Sequence, residues 1–230
     1  MMHTFPRLAF GAFLALAGPV AIAQTPVAPP PKPLDSGPTL EVTLQFINDK
    51  LNAQGRVGYL MTFSNSPGLT MRTHVLYSDP GDAGSCILRS TATIEIDTAR
   101  EVKTDSTGQS IPGHETHSLL TSTTTIPLKE IDRIVVEGTQ EYMNRKATED
   151  AHPERVATVT PDVFFVQVKA SKKVVSIQTS HKDKDGAPKV TDITVSESGF
   201  RIRDGDTADR LAKALTHAVE LCGGGNKDPF

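Results

Sequence analysis

One stretch near the C-terminus, from Asp204 to Gly225, constrains the fold more tightly than any other part of this chain. Asp204 and Asp206 supply acceptors for the free N–H groups of a first helical turn, and their charge suits the positive end of a helix dipole. Beyond them, apolar side chains recur at intervals of three and four residues, on one helical face: Ala208, Leu211, Ala212, Leu215, Ala218, Val219 and Cys222. Glycines at 223–225 predict the helix end. The pattern predicts a helix that covers an apolar surface formed by the preceding chain.

The N-terminus has the features of a secretory signal. His3 and Arg7 precede a short apolar run, broken by Gly18 and Pro19, which ends in the small-residue motif at 21–23. This arrangement is typical of a cleaved signal peptide, and the run is short for a membrane span. An uncleaved N-terminal anchor is the alternative. We expect a signal peptide at 1–23, a periplasmic or secreted product, and no integral membrane span after cleavage.

The remaining chain is expected to form a single domain. Residues 24–38 are rich in proline and predict an extended linker. The domain is expected over 39–223, followed by a flexible tail at 224–230. The formal net charge of −3 gives no electrostatic reason to expect nucleic acid as a partner.

A strand predicted from Ser85 to Asp97 indicates what the terminal helix packs against. Cys86, Leu88 and Ile94 share one parity with other apolar residues, so a period of two places Cys86 on the core side. The chain has two cysteines, and an exported protein meets an oxidising compartment. We therefore predict a disulfide between Cys86 and Cys222. Two buried free thiols are the alternative.

The order of the other elements predicts a mainly β, α+β fold. An N-terminal helix is expected from Thr39, because Leu40, Leu44, Ile47 and Leu51 form a one-sided stripe before Gly55. About seven antiparallel strands separated by turn residues follow. Residues 138–157 are expected to form a polar loop with one helical turn near Tyr142, and the apolar runs on either side of Ser171 are expected to pair as a hairpin.

Two segments resemble pleckstrin-homology-like domains, including their GRAM relatives. The segment IPLKEIDRIVV at 126–136 is similar to a mid-domain strand entry of that family, and FRIRDGDTADRLAKALTHAVELC at 200–222 is similar to its last strand and helix. The resemblance covers 57–222 at the level of topology. It implies an antiparallel β-sandwich or barrel closed by the C-terminal helix. The signal peptide, the N-terminal helix and the cysteines depart from the family's intracellular members, so no binding residue is transferred.

Two groups of side chains are candidates for chemistry. His114 and His117 approach a zinc-protease pattern, but their spacing is one residue short of H-E-x-x-H; they could share a metal in a loop with His74 or His152. Five lysines near two predicted turns could form a basic edge for an anionic ligand or partner, although lysines also protect sheet edges from pairing: Lys169, Lys172, Lys173, Lys182 and Lys184. The segment 181–186 carries part of a calcium-loop pattern, which a hairpin turn explains better.

The sequence carries no nucleophile elbow, phosphate loop or dinucleotide fingerprint. We therefore expect an exported, non-catalytic binding or structural module, without a cofactor, for an unknown protein or small ligand. The alternative is a metal-dependent hydrolase that uses the loop of His114 and His117. A third interpretation is an interaction surface formed by an exposed strand edge.

Overall fold

The computed structural model describes residues 37–63, 69–78, 82–100, 103–104, 106–111, 113–149, 157–182 and 188–225. The elements follow one another along the chain as α1 (Leu40–Ala53), β1 (Val57–Phe63), β2 (Leu69–Ser78), β3 (Ile87–Arg100), β4 (Lys103–Thr104), β5 (Ser110–Ile111), β6 (His114–Pro127), a 3-10 turn (Leu128–Glu130), β7 (Arg133–Gly138), α2 (Thr139–Glu149), β8 (Ala157–Thr160), β9 (Phe164–Lys169), β10 (Val175–Lys182), β11 (Pro188–Val195), β12 (Glu197–Ile202) and α3 (Gly205–Leu221). The fold is mainly β, of the α+β class, with a helix near each end of the described chain.

The strands form two principal antiparallel sheets. The large sheet has seven strands in the order β11-β10-β6-β3-β2-β1-β8, and the small sheet has three in the order β12-β9-β7. A two-stranded ribbon joins β4 and β5. Strands β3 and β6, each 14 residues long, pair along their whole length, from Ile87 opposite Pro127 to Arg100 opposite His114. Because side chains alternate between faces, this hairpin presents a buried inner wall where Leu88, Ser90 and Ala92 of β3 lie beside Ser122 and Ile126 of β6.

The main core joins both sheets to α1 and α3. Leu44, Ile47 and Leu51 of α1 are buried together with the apolar face of α3, including Leu211 and Leu215. Fully burying one such side chain stabilises the fold by about 1.5–3 kcal/mol before entropy is counted. The core also includes four buried side chains of β9 and β12: Val166, Val168, Phe200 and Ile202. Helix α3 therefore covers the apolar surface of the sheets, as predicted.

Helix α3 has the predicted start and end. Asp204 is its N-cap, since its carboxylate accepts a hydrogen bond from the backbone N–H of Thr207 at 2.8 Å. Gly223 has φ +76°, a conformation that costs glycine little. A Cβ at Gly224 would lie 2.5 Å from the carbonyl oxygen of Leu128. The absence of a side chain there lets the end of α3 approach the 3-10 turn.

The structure contains the predicted disulfide between Cys86 and Cys222, whose Cα atoms are 5.8 Å apart. Cys86 lies just before β3 rather than within it, in a turn with φ +54°. Such a conformation costs a non-glycine residue roughly 1–2 kcal/mol. The carbonyl of Cys86 accepts a hydrogen bond from the N–H of Leu128 at 2.9 Å. The disulfide thus links the start of β3 to the end of α3, beside the 3-10 turn.

Two expectations about local structure were wrong. The segment 138–157 contains the three-turn helix α2, where a loop with one helical turn was expected. Its helix-forming residues and the Arg145–Glu149 ion pair at 2.5 Å support it, but its short apolar face gave a weak periodic signal. Strands β9 and β10 do not form a hairpin: β9 pairs with β7 and β12, while β10 pairs with β6 and β11. Residues 170–174 instead carry the chain from one sheet to the other.

Candidate functional site

The candidate site is a cavity of about 240 Å³ between the two sheets, called the inter-sheet cavity below. The large sheet lines it with alternate residues of five strands: Tyr59, Thr73, Val75, Tyr77, Ser90, Ala92, Ile94, Ser122, Thr124 and Ile177. The small sheet contributes Phe165 from β9 and the residues 198–201 from β12. The cavity therefore lies where the edge strand β12 faces the inner wall of the large sheet.

Polar residues occupy inward positions on that wall. Thr73, Ser90 and Ser122 are buried, although their strand neighbours on the same face are mainly apolar. The hydroxyl oxygen of Thr73 has no hydrogen-bond partner. A buried hydroxyl without a partner costs roughly 1–3 kcal/mol. The wall therefore offers hydrogen-bonding capacity that the described residues do not use.

Arg201 provides the charged group of the cavity. Its backbone N–H donates to the hydroxyl of Tyr77 at 2.6 Å, which fixes β12 against β2. Its guanidinium carbon lies 3.6 Å from the ring centroid of Phe165 and 5.3 Å from that of Tyr142. The Nη1 atom is buried without a hydrogen-bond partner. Within the part of the chain that the structure describes, no carboxylate lies at ion-pair distance from Arg201.

Tyr77 is buried between the sheets and remains a hydrogen-bond donor over a wide pH range. Burial raises the pKa of Tyr77 to about 12, although the hydrogen bond and the positive charge of Arg201 oppose the increase. Its ring also packs edge-on against Phe200, with centroids 5.6 Å apart. The hydroxyl oxygen accepts from Arg201, so its own proton is available to a further acceptor.

Gly199 determines how closely the two strands of the small sheet approach at the cavity. A Cβ at this position would overlap the carbonyl oxygen of Val166 and lie 2.9 Å from the Cα of Gln167. A side chain would therefore push β12 away from β9 and alter the wall that carries Arg201. Glycine at this position is a requirement of the close backbone approach.

The carboxylates near the small sheet are already paired with other cations. Glu137 binds Arg145 at 2.6 Å, and Glu197 binds Lys146 at 2.5 Å. Burial would raise the pKa of Glu137, but hydrogen bonds from Arg145 and Gln167 outweigh that effect and lower it. Glu137 is therefore a charged partner of Arg145, and neither carboxylate neutralises Arg201.

The histidine pair predicted from sequence forms no metal centre in the described residues. His114 begins β6, and its side chain lies outside the described part of the chain, as does the whole of His152. The Nδ1 atom of His117 is 2.6 Å from a carboxylate oxygen of Asp97, and this hydrogen bond lowers the pKa of Asp97. Among the side chains described, no group of three or more His, Cys, Asp or Glu residues is arranged to hold a metal ion. The segment is a strand rather than the expected loop.

The predicted basic edge is divided by the fold. Lys172 and Lys173 are exposed at one end of β10, whereas Lys182 lies at the other end, about 23 Å away at the usual rise of a strand. The ammonium of Lys169 is 3.6 Å from Glu197. The side chain of Lys182 and all of Lys184 lie outside the described residues. Lys172 and Lys173 are thus separated from Lys182 by the length of β10, and binding of an anion or partner by these lysines stays a prediction.

Sequence reasoning missed the residues that line the inter-sheet cavity. Ser90 shares the inward parity of Leu88 and Ala92 in β3, and Ser122 has the same position in β6 relative to Ile126. A small polar residue at an otherwise apolar parity is the signal that could have indicated them. Arg201 gave no such signal, since a single arginine in an edge strand is ordinary.

A second concavity lies between α1 and α3. It measures about 420 Å³ and its lining surface is almost entirely apolar, with Val42 and Phe46 on one side and Ala214 on the other. Arg210 and Lys213 lie at its rim. Its buried polar residue, Thr43, already donates its hydroxyl proton to the carbonyl of Thr39 at 2.8 Å, whereas the polar wall of the inter-sheet cavity keeps groups that could orient a ligand.

Comparison of the chain with protein-family models, with curated proteins and with solved structures finds no match. None of the helices that the structure describes combines the length and the apolar character needed to span a membrane.

Proposed function

We propose that this chain is an exported, non-catalytic binding module with pleckstrin-homology-like organisation, and that it holds a small molecule in the inter-sheet cavity. The observation that carries the proposal is the polar wall of this cavity. Arg201 and Thr73 both line it, and Arg201 Nη1 and the Thr73 hydroxyl are buried without hydrogen-bond partners among the described residues. Buried polar groups are normally paired, and a ligand placed between the sheets would supply the partners.

The rest of the molecule supports a role in binding. Two antiparallel sheets with a disulfide-linked covering helix form a rigid frame, which limits the entropy lost when a ligand is bound. The disulfide is typical of an oxidising compartment, and the N-terminal segment has the composition of a secretory signal. The hydroxyls that line the cavity have no adjacent base to activate one of them as a nucleophile.

The experiment is a thermal-shift screen of small molecules on the purified protein and on two matched variants. Ser122→Leu fills the cavity from β6, because Ser122 is buried and lines it. Thr121→Leu likewise replaces a hydroxyl-bearing side chain with leucine, at the neighbouring residue, which is exposed on the other face of the sheet. We expect ligands that stabilise the wild type and Thr121→Leu but leave Ser122→Leu unchanged.

Isothermal titration of the screen's hits would then compare dissociation constants among the three proteins. The proposal is refuted if no compound binds, or if Ser122→Leu binds every hit as tightly as Thr121→Leu does. Circular dichroism of each variant controls for loss of fold. Hydrolysis of any hit during the measurement would contradict the non-catalytic part of the proposal.

A further inference from the structure

We infer that the ligand of the inter-sheet cavity is a small organic anion with one carboxylate, held by the side chains of Arg201 and Tyr77. This inference rests on the proposed function, since it names the class of molecule that the cavity accepts. Three features support it: the positive charge of Arg201, the unused hydrogen-bond donors near the cavity, and the volume of the cavity.

The charge of Arg201 is the first step. Its guanidinium is partly buried and forms no ion pair with any carboxylate in the described part of the chain. The two carboxylates in the strands of the small sheet, Glu137 and Glu197, are bound to Arg145 and Lys146. Removing a cation from water is costly unless an anion accompanies it. The uncompensated positive charge of Arg201 therefore indicates a ligand with one negative charge.

The unused hydrogen-bonding groups are mainly donors. Nη1 of Arg201 is a buried donor that has no acceptor within the described ranges of the chain, and arginine has no acceptor of its own. The hydroxyl oxygen of Tyr77 already accepts from the backbone of Arg201, so this hydroxyl is available as a donor. A carboxylate accepts several hydrogen bonds and matches the planar edge of a guanidinium. A neutral amide would place its own N–H group among donors.

Stacking on aromatic rings does not satisfy Arg201. The guanidinium carbon lies 3.6 Å from the ring centroid of Phe165, a contact that uses the π face of the ring. The N–H groups lie in the guanidinium plane and need acceptors at its edge. The stack therefore orients the guanidinium but supplies no acceptor to Nη1, which is buried and has none among the described residues.

The remaining lining limits the body of the ligand. Tyr59, Ile94, Ile177 and Phe200 contribute apolar surface to the cavity. Its volume of about 240 Å³ is below the usual range of roughly 300–1,000 Å³ for drug-sized ligands. A single aromatic ring or a short aliphatic chain that carries the carboxylate fits this description.

The test uses pairs of probes that differ in charge but not in shape. Benzoate is compared with benzamide, and butyrate with butyramide, by isothermal titration on the wild type, Arg201→Gln, Arg201→Lys and Tyr77→Phe; inorganic phosphate is a further probe. We expect the wild type to bind each carboxylate roughly tenfold or more tightly than its amide, as is usual for hydrogen bonds to a charged group. Arg201→Gln should reduce that ratio to about one, and Arg201→Lys should retain part of it. Tyr77→Phe should weaken the carboxylate more than the amide.

The outcomes separate this inference from the proposed function. Binding of amides and carboxylates with equal affinity, abolished by Ser122→Leu, would overturn the inference and leave the proposed function standing. Inorganic phosphate bound as tightly as benzoate would overturn the assignment to an organic carboxylate. An unchanged carboxylate preference in Arg201→Gln would remove Arg201 from the site. Failure of all probes and of the wider screen would overturn both proposals. If Arg201→Gln does not fold, Arg201→Lys and Tyr77→Phe carry the comparison.

Discussion

Replacing both cysteines, as Cys86→Ala with Cys222→Ala, should lower the free energy of unfolding by about 5 kcal/mol. The figure follows from the loop that the disulfide closes, which spans a sequence separation of 136 residues. In the chain-entropy relation the restriction of the unfolded chain grows with the logarithm of loop length, and this separation gives about 5 kcal/mol near 25 °C. A domain of this size would then melt roughly 10–20 °C lower.

The native contacts around the bond should survive its removal. Helix α3 keeps its N-cap at Asp204, and its apolar side chains stay buried against the small sheet. The φ of +54° at Cys86 remains unfavourable for alanine, so Cys86→Gly with Cys222→Ala should recover about 1 kcal/mol of the loss. We therefore assign most of the loss of stability to the greater freedom of the unfolded chain, and a small part to the turn at Cys86 in the folded protein.

Equilibrium unfolding in guanidinium chloride measures this loss. The oxidised wild type, the reduced wild type and the double alanine variant should show the same far-ultraviolet circular dichroism, with the last two equally destabilised. A loss below about 1 kcal/mol would refute the loop-entropy reasoning. Labelling of two thiols by an alkylating reagent in the denatured, unreduced protein would show that the bond is absent.

Two further predictions concern the residues at the inter-sheet cavity. The folded pKa of Tyr77, about 12, lies above its ordinary value of 10.0, so the stability that this shift contributes is fully present below pH 10 and should be lost, by about 3 kcal/mol, as the pH rises towards 12. Urea unfolding across this pH range should show a smaller decline in the free energy of unfolding for Tyr77→Phe than for the wild type. Parallel declines in the two proteins would contradict the assignment to Tyr77. Gly199→Ala should destabilise the protein by about 1–3 kcal/mol, because its Cβ would overlap the backbone of Val166. Ser198→Ala, at the neighbouring position of β12, is the matched control, and equal melting temperatures for the two variants would refute this close approach.

The two helices that pack in the main core were largely predictable because their signals are local. In α1 the N-cap Thr39 and the apolar stripe lie within one segment, and in α3 the cap, the stripe and the terminal glycines do so as well. The length of helix α2 was not predicted, because its apolar face is short and part of its support comes from contacts outside the helix. Tyr142 packs edge-on against Phe165 of β9, with ring centroids 4.8 Å apart, and Arg145 binds Glu137 of β7.

The sequence by itself determined the ends of α1 and α3, the inward parity of β3, and the pairing of the two cysteines. The helix ends and the parity depend on hydrogen bonds or periodicities within a few residues. The cysteine pairing follows because the chain has two cysteines. Only the tertiary structure decided which sheet each strand joins: β9 and β10 follow one another along the chain, yet lie in different sheets. A period of two assigns the faces of a strand but does not identify its neighbour. The inter-sheet cavity likewise depends on distant segments, since Tyr77 and Arg201 are 124 residues apart in the chain.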